Sequence, residues 1–231
     1  MIIDCISDLH GNYPTLDGGD LLIVAGDLTA RDTPYERLEF LEWLANQEYK
    51  RKIFIAGNHD NSLINQSFTK TRNDGVDYLC DSGTEFEYEE PVRNLFDPND
   101  ESLFFKKKLK IWGSPWTLTF PGINPKCTAF TGDEELLASK FALIPDDVDI
   151  LITHGPPFTI LDKTNRGEQV GSINLMAHHL KRLRPRLFVF GHIHEAYGQE
   201  GPHQWNNTKY VNCSHVNEHY EPVNKPIRII L

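Results

Sequence analysis

The chain has 231 residues, 39% hydrophobic and 24% charged, which is enough apolar material for one sizeable core and too much for a disordered chain. Its 33 acidic against 23 basic side chains leave a net charge of −10, which opposes bulk coating of nucleic acid or anionic lipid, and no apolar run approaches the roughly 20 residues that cross a bilayer. Cys5, Cys80, Cys127 and Cys213 are scattered, and the N-terminus carries Asp4 and Asp8 in place of a basic-then-apolar leader, so reduced thiols, no disulfide and a cytoplasmic location are expected.

Short β-branched runs, each stopping abruptly at a polar cluster, punctuate the chain. Residues 2–7 stop at Asp8-Leu9-His10, and residues 21–25 stop at Gly26-Asp27. A helix follows, announced by the capping box Thr33-Pro34-Tyr35-Glu36, with Leu38, Leu41, Leu44 and Ala45 expected on its buried face. The third run, 53–56, stops at Gly57-Asn58-His59-Asp60. Residues 78–112 suggest strands joined by a polar hairpin around Asp97-Pro98-Asn99-Asp100, with Lys106, Lys107 and Lys108 solvated. Next come a helix over 134–141, a run 149–153 that stops at His154, and a helix capped by Ser172 that uses Met176, Leu180 and Leu183 before Pro185 ends it. Lys181, Arg182 and Arg184 suit the negative end of that helix. Run 187–190 stops at Gly191-His192-Ile193-His194, and strands at 209–213 and 227–231 close the chain, which shows no linker or composition break and is expected to form a single domain over 1–231. In open α/β sheets ligands bind beyond the carboxyl ends of strands, so all five clusters are expected along one edge.

The residue types in those clusters suit one chemistry. Hydrolysing a phosphate ester at neutral pH requires charge neutralisation, an activated water and a stabilised leaving oxygen, and two divalent ions supply all three. Asp8 and His10 are two apart and point the same way in a strand, so both can grip one ion. Asp27 follows a glycine that lets the backbone bend and the carboxylate reach between two ions. Asn58 offers a neutral oxygen, His59 is free to face substrate, and Asp60 is expected to orient His59 and hold it protonated. His192 and His194, again two apart, can serve different ions. A lone aspartate or histidine in a turn carries little weight; the ordered conjunction of five clusters carries much more.

That order, D-x-H, G-D, G-N-H-[DE], an isolated histidine after a strand and G-H-x-H, resembles the calcineurin-like metallophosphoesterases across essentially the whole chain. The segments Gly113-Ser114-Pro115-Trp116, Thr153-His154-Gly155-Pro156-Pro157 and Asn212-Cys213-Ser214 look like its small metallophosphoesterase-domain branch. The resemblance implies a four-layer α-β-β-α sandwich of two mixed β-sheets flanked by helices. It implies one ion on Asp8, His10, Asp27 and His194, a second on Asp27, Asn58, His154 and His192, and His59 backed by Asp60 at the phosphoryl group. Ala30 stands where purple acid phosphatases have tyrosine, and Gly26-Asp27-Leu28-Thr29-Ala30-Arg31-Asp32 departs from the protein-phosphatase pattern G-D-x-V-D-R-G.

The expectation is therefore a dinuclear phosphoesterase, first of all a phosphodiesterase of small diesters or cyclic nucleotides using a metal-bridging hydroxide. Manganese is the first choice of ion, with iron or zinc as alternatives. A nuclease of the same superfamily, or a noncatalytic metal- or nucleotide-binding scaffold, is the rival; a nuclease should show a basic track, and none is evident. Trp116, Phe158 and Tyr197, with Trp112 and Phe120, are candidates to stack on a base or aryl group, and Arg166 with Lys163 to pair with a second phosphate. His178, His179, His203, His215 and His219 are expected to be surface or structural residues.

Overall fold

Runs whose two faces are both apolar build two sheets in a computed structural model that describes residues 1–64, 75–91, 104–120, 122, 125–204 and 206–231. The chain begins with β1 (Ile2–Ile6), β2 (Gly19–Ala25), α1 (Pro34–Ala45) and β3 (Tyr49–Ile55). It continues with β4 (Val76–Tyr78), β5 (Ser82–Pro91), β6 (Phe104–Ser114), and the short β7 (Thr117–Leu118) and β8 (Thr131–Gly132). Then come α2 (Glu134–Phe141), β9 (Ile150–Thr153), α3 (Ile173–Lys181), β10 (Leu187–Phe190), β11 (Gly198–Glu200), β12 (Lys209–Asn212) and β13 (Ile227–Ile230). The hairpin expected at Asp97-Pro98-Asn99-Asp100 lies outside the described residues.

One large sheet has the order β13-β1-β2-β3-β4 and the other large sheet β11-β12-β10-β9-β6-β5, while β7 and β8 form a separate parallel pair. Strands β1 to β4 are parallel with β13 antiparallel at the edge; β6, β9, β10 and β12 are parallel, flanked by antiparallel β5 and β11. Alternation along each strand sorts the side chains between layers. Ile3, Cys5, Leu21, Ile23, Ile53 and Ile55 meet Ile111, Ile150, Ile152, Val189 and Val211 in a core between the sheets. On the far side of the first sheet Leu22, Val24 and Phe54 pack with Phe40 and Leu44 of α1, and on the far side of the second Leu151, Phe188 and Phe190 pack with Leu137, Phe141 and Leu175 of α2 and α3. The layers are therefore α-β-β-α. Among the described residues no helix is long and apolar enough to cross a membrane.

The helix starts follow the expected caps. Thr33 accepts from the Glu36 N–H at 3.2 Å while Glu36 accepts from the Thr33 N–H at 3.0 Å, and Ser172 accepts from the Leu175 N–H at 3.1 Å. The buried faces are turned from expectation. In α1 the buried pair is Phe40 and Leu44, four apart, while Leu38 is 55% exposed and Ala45 is exposed, because the first turn set by the capping box phases the helix onto Phe40. In α3 the buried pair is Leu175 and His179 rather than Leu180, which is half exposed. Arg182 donates to the Phe141 carbonyl at 2.7 Å and Arg184 to the Leu180 carbonyl at 2.9 Å, so both serve helix ends. Lys107 and Lys108 are exposed and pair across the ladder with Glu90 and with Glu85 and Glu87.

Candidate metal centre

The parallel strands β1, β2, β3, β9 and β10 point their carboxyl ends the same way, and the chain turns sharply at each. Asp8, His10, Asp27 and His192 have φ values of 52°, 43°, 52° and 71°, a left-handed backbone that non-glycine residues rarely hold without a functional reason. Backbone bonds lock the turns: the Asp8 N–H donates to the Gly26 carbonyl and the His10 N–H to the Asp27 carbonyl, each at 3.0 Å. Two glycines admit the carboxylates. A Cβ at Gly57 would lie 2.2 Å from Asp27 Oδ1, and one at Gly191 would lie 2.2 Å from Asp8 Oδ2.

All seven expected ligands converge, and three groups of ligand atoms lie within 4.8 Å of one another: Asp8, His10 and His194; His10, Asp27 and His59; and Asp27, His154 and His192. Asp27 belongs to two groups, as a bridging carboxylate must. Its Oδ1 lies 3.4 Å from His154 Nε2 and its Oδ2 lies 3.6 Å from His10 Nε2, while Asn58 Oδ1 is 3.0 Å from His154 Nε2. Asp8 Oδ1 is 3.4 Å from His194 Nε2.

The donor set fits a pair of divalent cations. Among the described residues, His10 Nε2 and His192 Nε2 are shut from solvent with no hydrogen-bond partner, a costly state that an electrophile relieves. Burial holds His10 down at about 4 and His192 down at about 3, so both are neutral ligands. Burial pushes Asp8 and Asp27 up, but the imidazoles His194 and His154 respectively overcome it and leave both carboxyls below their ordinary range. Burial likewise depresses His154, and the Asp27 charge more than reverses it, raising His154 to about 9. The Ala25 carbonyl, 3.0 Å from His154 Nδ1, and the Asn217 carbonyl, 3.1 Å from His194 Nδ1, accept hydrogen bonds there and leave each Nε2 facing the cluster.

The second half of the expected pair is corrected. Among the described residues the Asp60 side chain makes no hydrogen bond or ion pair with His59; its carboxylate accepts from the Gly57 N–H at 2.7 Å and the Leu28 N–H at 3.1 Å, bracing the loops after β2 and β3 against each other. Burial and then the Asp27 charge push the Asp60 carboxyl well above its ordinary range. His59 Nδ1 instead lies 3.4 Å from Cys127 Sγ, and its backbone N–H donates to Asp27 Oδ1 at 2.9 Å.

The cluster floors a two-lobed cleft. A lobe of about 270 Å³ and one of about 160 Å³ share Asn58, Phe120 and His192, with the Phe120 ring stacked 5.5 Å from His192. Of the aromatic candidates Phe120 alone lines these lobes. Trp116 donates to Asp81 at 2.9 Å beneath Lys140, and the Tyr197 hydroxyl donates to the Lys225 carbonyl. Phe158 and Trp112 are half-buried away from the cleft, and Arg166 and Lys163 are exposed and do not line it. Those expectations followed proximity to motifs along the chain, which does not decide which way a side chain faces.

Three contributors were missed. Ser214 donates to Asp8 Oδ2 at 2.7 Å, Cys127 meets His59, and the Tyr220 ring lies 4.9 Å from that of His10 and 5.3 Å from that of His194. Ser214 follows the carboxyl end of β12 and shares the strand-end signal; Cys127 and Tyr220 sit on loops with no periodic mark.

Residues 1–196 match the family model described as calcineurin-like phosphoesterase. The chain is 38% identical over 238 residues to human metallophosphoesterase domain-containing protein 1, covering 98% of this chain and 70% of that protein, and the mouse protein of the same name matches to the same extent. In fold it is similar to the crystal structure of TT1561 of Thermus thermophilus, with a TM-score of 0.58 at 13% identity over 91% of this chain and 88% of that one.

Proposed function

The chain belongs to the calcineurin-like phosphoesterase family, whose members are metal-dependent phosphoesterases, and from that premise we propose that it is a phosphodiesterase of small diesters, cyclic nucleotides included. One ion would be held by Asp8, His10, Asp27 and His194 and the other by Asp27, Asn58, His154 and His192, with manganese the first candidate and iron or zinc next. When bound, the ions withdraw charge from phosphoryl oxygens and bring a water within reach of ionisation near neutral pH. The observation that carries this reading is the pair of orphaned imidazole nitrogens on His10 and His192, set on either side of ionised Asp27.

The protein's own groups have distinct tasks. Asp8 and Asp27 supply negative charge; Ser214, Ala25 and Asn217 hold Asp8, His154 and His194 in orientation. Burial and then the charges of Asp27 and Asp60 push the Cys127 thiol up, so it stays protonated and can donate to His59 Nδ1. The proton of neutral His59 then sits on Nε2, where it can donate a hydrogen bond to the departing ester oxygen and stabilise the charge that develops there. A diester is favoured over a monoester because two lobes meet at the shared Asn58 and His192, one for each arm. Among the described residues neither lobe is lined by lysine or arginine, which disfavours the nuclease reading. The four unpaired cysteines suit a reducing compartment, and the cytoplasm is the proposed location, with 1–231 acting as one catalytic domain.

The test is turnover by protein reconstituted with manganese on bis(p-nitrophenyl) phosphate, p-nitrophenyl phosphate, cyclic nucleotides and single-stranded DNA, each with a chelator control. Chelator-sensitive hydrolysis of the diester ahead of the monoester is expected. Two bound ions with no turnover on any substrate would make it a scaffold.

A further inference from the structure

The 270 Å³ lobe has walls of a definite chemical character. Tyr220 stands against His10 and His194 and Phe120 stacks on His192, and among the described residues the carboxylates that line it beyond Asp27 are Glu168, Glu195 and Glu218. Lys163 and Arg166, the cations the sequence offered for a second phosphate, do not line it. Its floor carries the buried His192 Nε2, so the lobe opens onto the reacting centre, with Glu195 half-buried in its wall and Glu168 and Glu218 exposed at its rim.

The tail loop that contributes Glu218 and Tyr220 lies beyond residue 196, where the family match ends. It is built as a rigid piece. Asn217 Oδ1 accepts from the His219 N–H at 2.9 Å and the Glu221 N–H at 3.0 Å, Asn224 donates to the Ser214 carbonyl at 2.9 Å, and Tyr220 is held at φ 62°. Across the lobe mouth Asn165 ties the loop to its opposite wall, donating from its side chain to Glu218 at 2.9 Å and from its backbone to Glu195 at 3.3 Å. Aromatic faces set among carboxylates attract organic cations and repel anions, and a quaternary ammonium suits them best because it is weakly hydrated and makes no hydrogen bonds of its own.

We propose that this lobe seats one ester arm of the diester and selects an arm bearing a positive charge, of the quaternary-ammonium alcohol type, over a neutral arm of the same shape. The inference rests on the phosphodiesterase reading and assigns its substrate class.

Two p-nitrophenyl diesters that differ by a single atom test it: the choline ester and the 3,3-dimethylbutyl ester, in which carbon replaces the ammonium nitrogen. With the manganese-loaded protein, kcat/KM should favour the choline ester by about tenfold. The triple variant Glu168→Gln, Glu195→Gln, Glu218→Gln should bring the ratio to about one, and Glu218→Gln alone, a milder change, should lower it partway. Tyr220→Leu should lower the ratio while Tyr220→Phe keeps it. A ratio near one in the wild-type protein, a ratio the glutamine variants leave untouched, or acceptance of bis(p-nitrophenyl) phosphate with neither alkyl ester would overturn the proposal. Failure to hydrolyse any of the three diesters would instead bring down the phosphodiesterase reading.

Discussion

Replacing Asp60 by asparagine separates two roles for this carboxylate. Oδ2 accepts from the Gly57 N–H at 2.7 Å and, more weakly, from the Leu28 N–H at 3.3 Å, while Oδ1 accepts from the Leu28 N–H at 3.1 Å. The asparagine oxygen can keep the Oδ2 position, but its NH2 then faces the Leu28 N–H, donor against donor, in a site with Asp60 1% exposed. Leaving the buried Leu28 N–H without its acceptor costs about 2 kcal/mol, and Asp60→Ala, which strands both N–H groups, about 3–5 kcal/mol. For a chain of this length 1 kcal/mol shifts the melting temperature by roughly 2–4 °C, so Asp60→Asn should melt about 4–8 °C lower. Thermal unfolding in chelator isolates this from metal binding, and turnover is then measured at a temperature where both proteins are folded. An asparagine variant that melts like the wild type yet loses turnover a hundredfold or more would refute the bracing role and restore the pairing with His59.

Further outcomes bear on the rest of the site. His59→Ala should retain both ions by elemental analysis and lose turnover by about 10²–10⁴, whereas Asp27→Asn, which alters the shared ligand, should lose metal; the reverse pattern would contradict the assignment. Cys127→Ala should lower kcat about three- to tenfold with metal content unchanged, and Cys127→Ser, which keeps a donor for His59 Nδ1, should recover it; equal rates for the two variants would show that the thiol does not position the ring. Burial, then the Arg184 charge, holds His179 down at about 4. Because that lies below the unfolded value of 6.5, its contribution is complete above pH 6.5 and is lost as pH falls toward 4, by up to about 3 kcal/mol. Melting curves from pH 7 to 4 should fall less steeply for His179→Gln than for the wild type, and parallel curves would count against it.

The metal-competent residues were legible in the linear order because each follows a buried strand, and a strand's end is marked by the switch from β-branched residues to Gly, Asp, Asn or His. Parallel pairing then brings those ends together with little freedom, which is why Asp8, Asp27, Asn58, His154 and His192 meet although up to 184 positions separate Asp8 from the His192 N–H that donates to it at 2.9 Å. Helix caps were equally local: Thr33 and Ser172 bond within four residues. What periodicity could not settle was the phase of a short helix. Phe40 displaced Leu38 from the buried face of α1 once the capping box and the outer face of the first sheet oriented it together.

Contacts made by loop side chains depended on the fold alone. Asp60 follows His59 in the chain, yet its oxygens turn away to the Leu28 and Gly57 amides, while Cys127, 68 positions from His59, supplies the contact to that ring. Trp116 is adjacent to a motif but half-buried against Lys140 and Asp81, and Tyr220, with no motif near it, reaches the histidines because the tail loop folds back from β12. Ligand identity is written in residue type and strand termination, which are properties of short segments. The walls of the cleft are set by where loops from both sheets come to rest, and that is a property of the whole packed molecule.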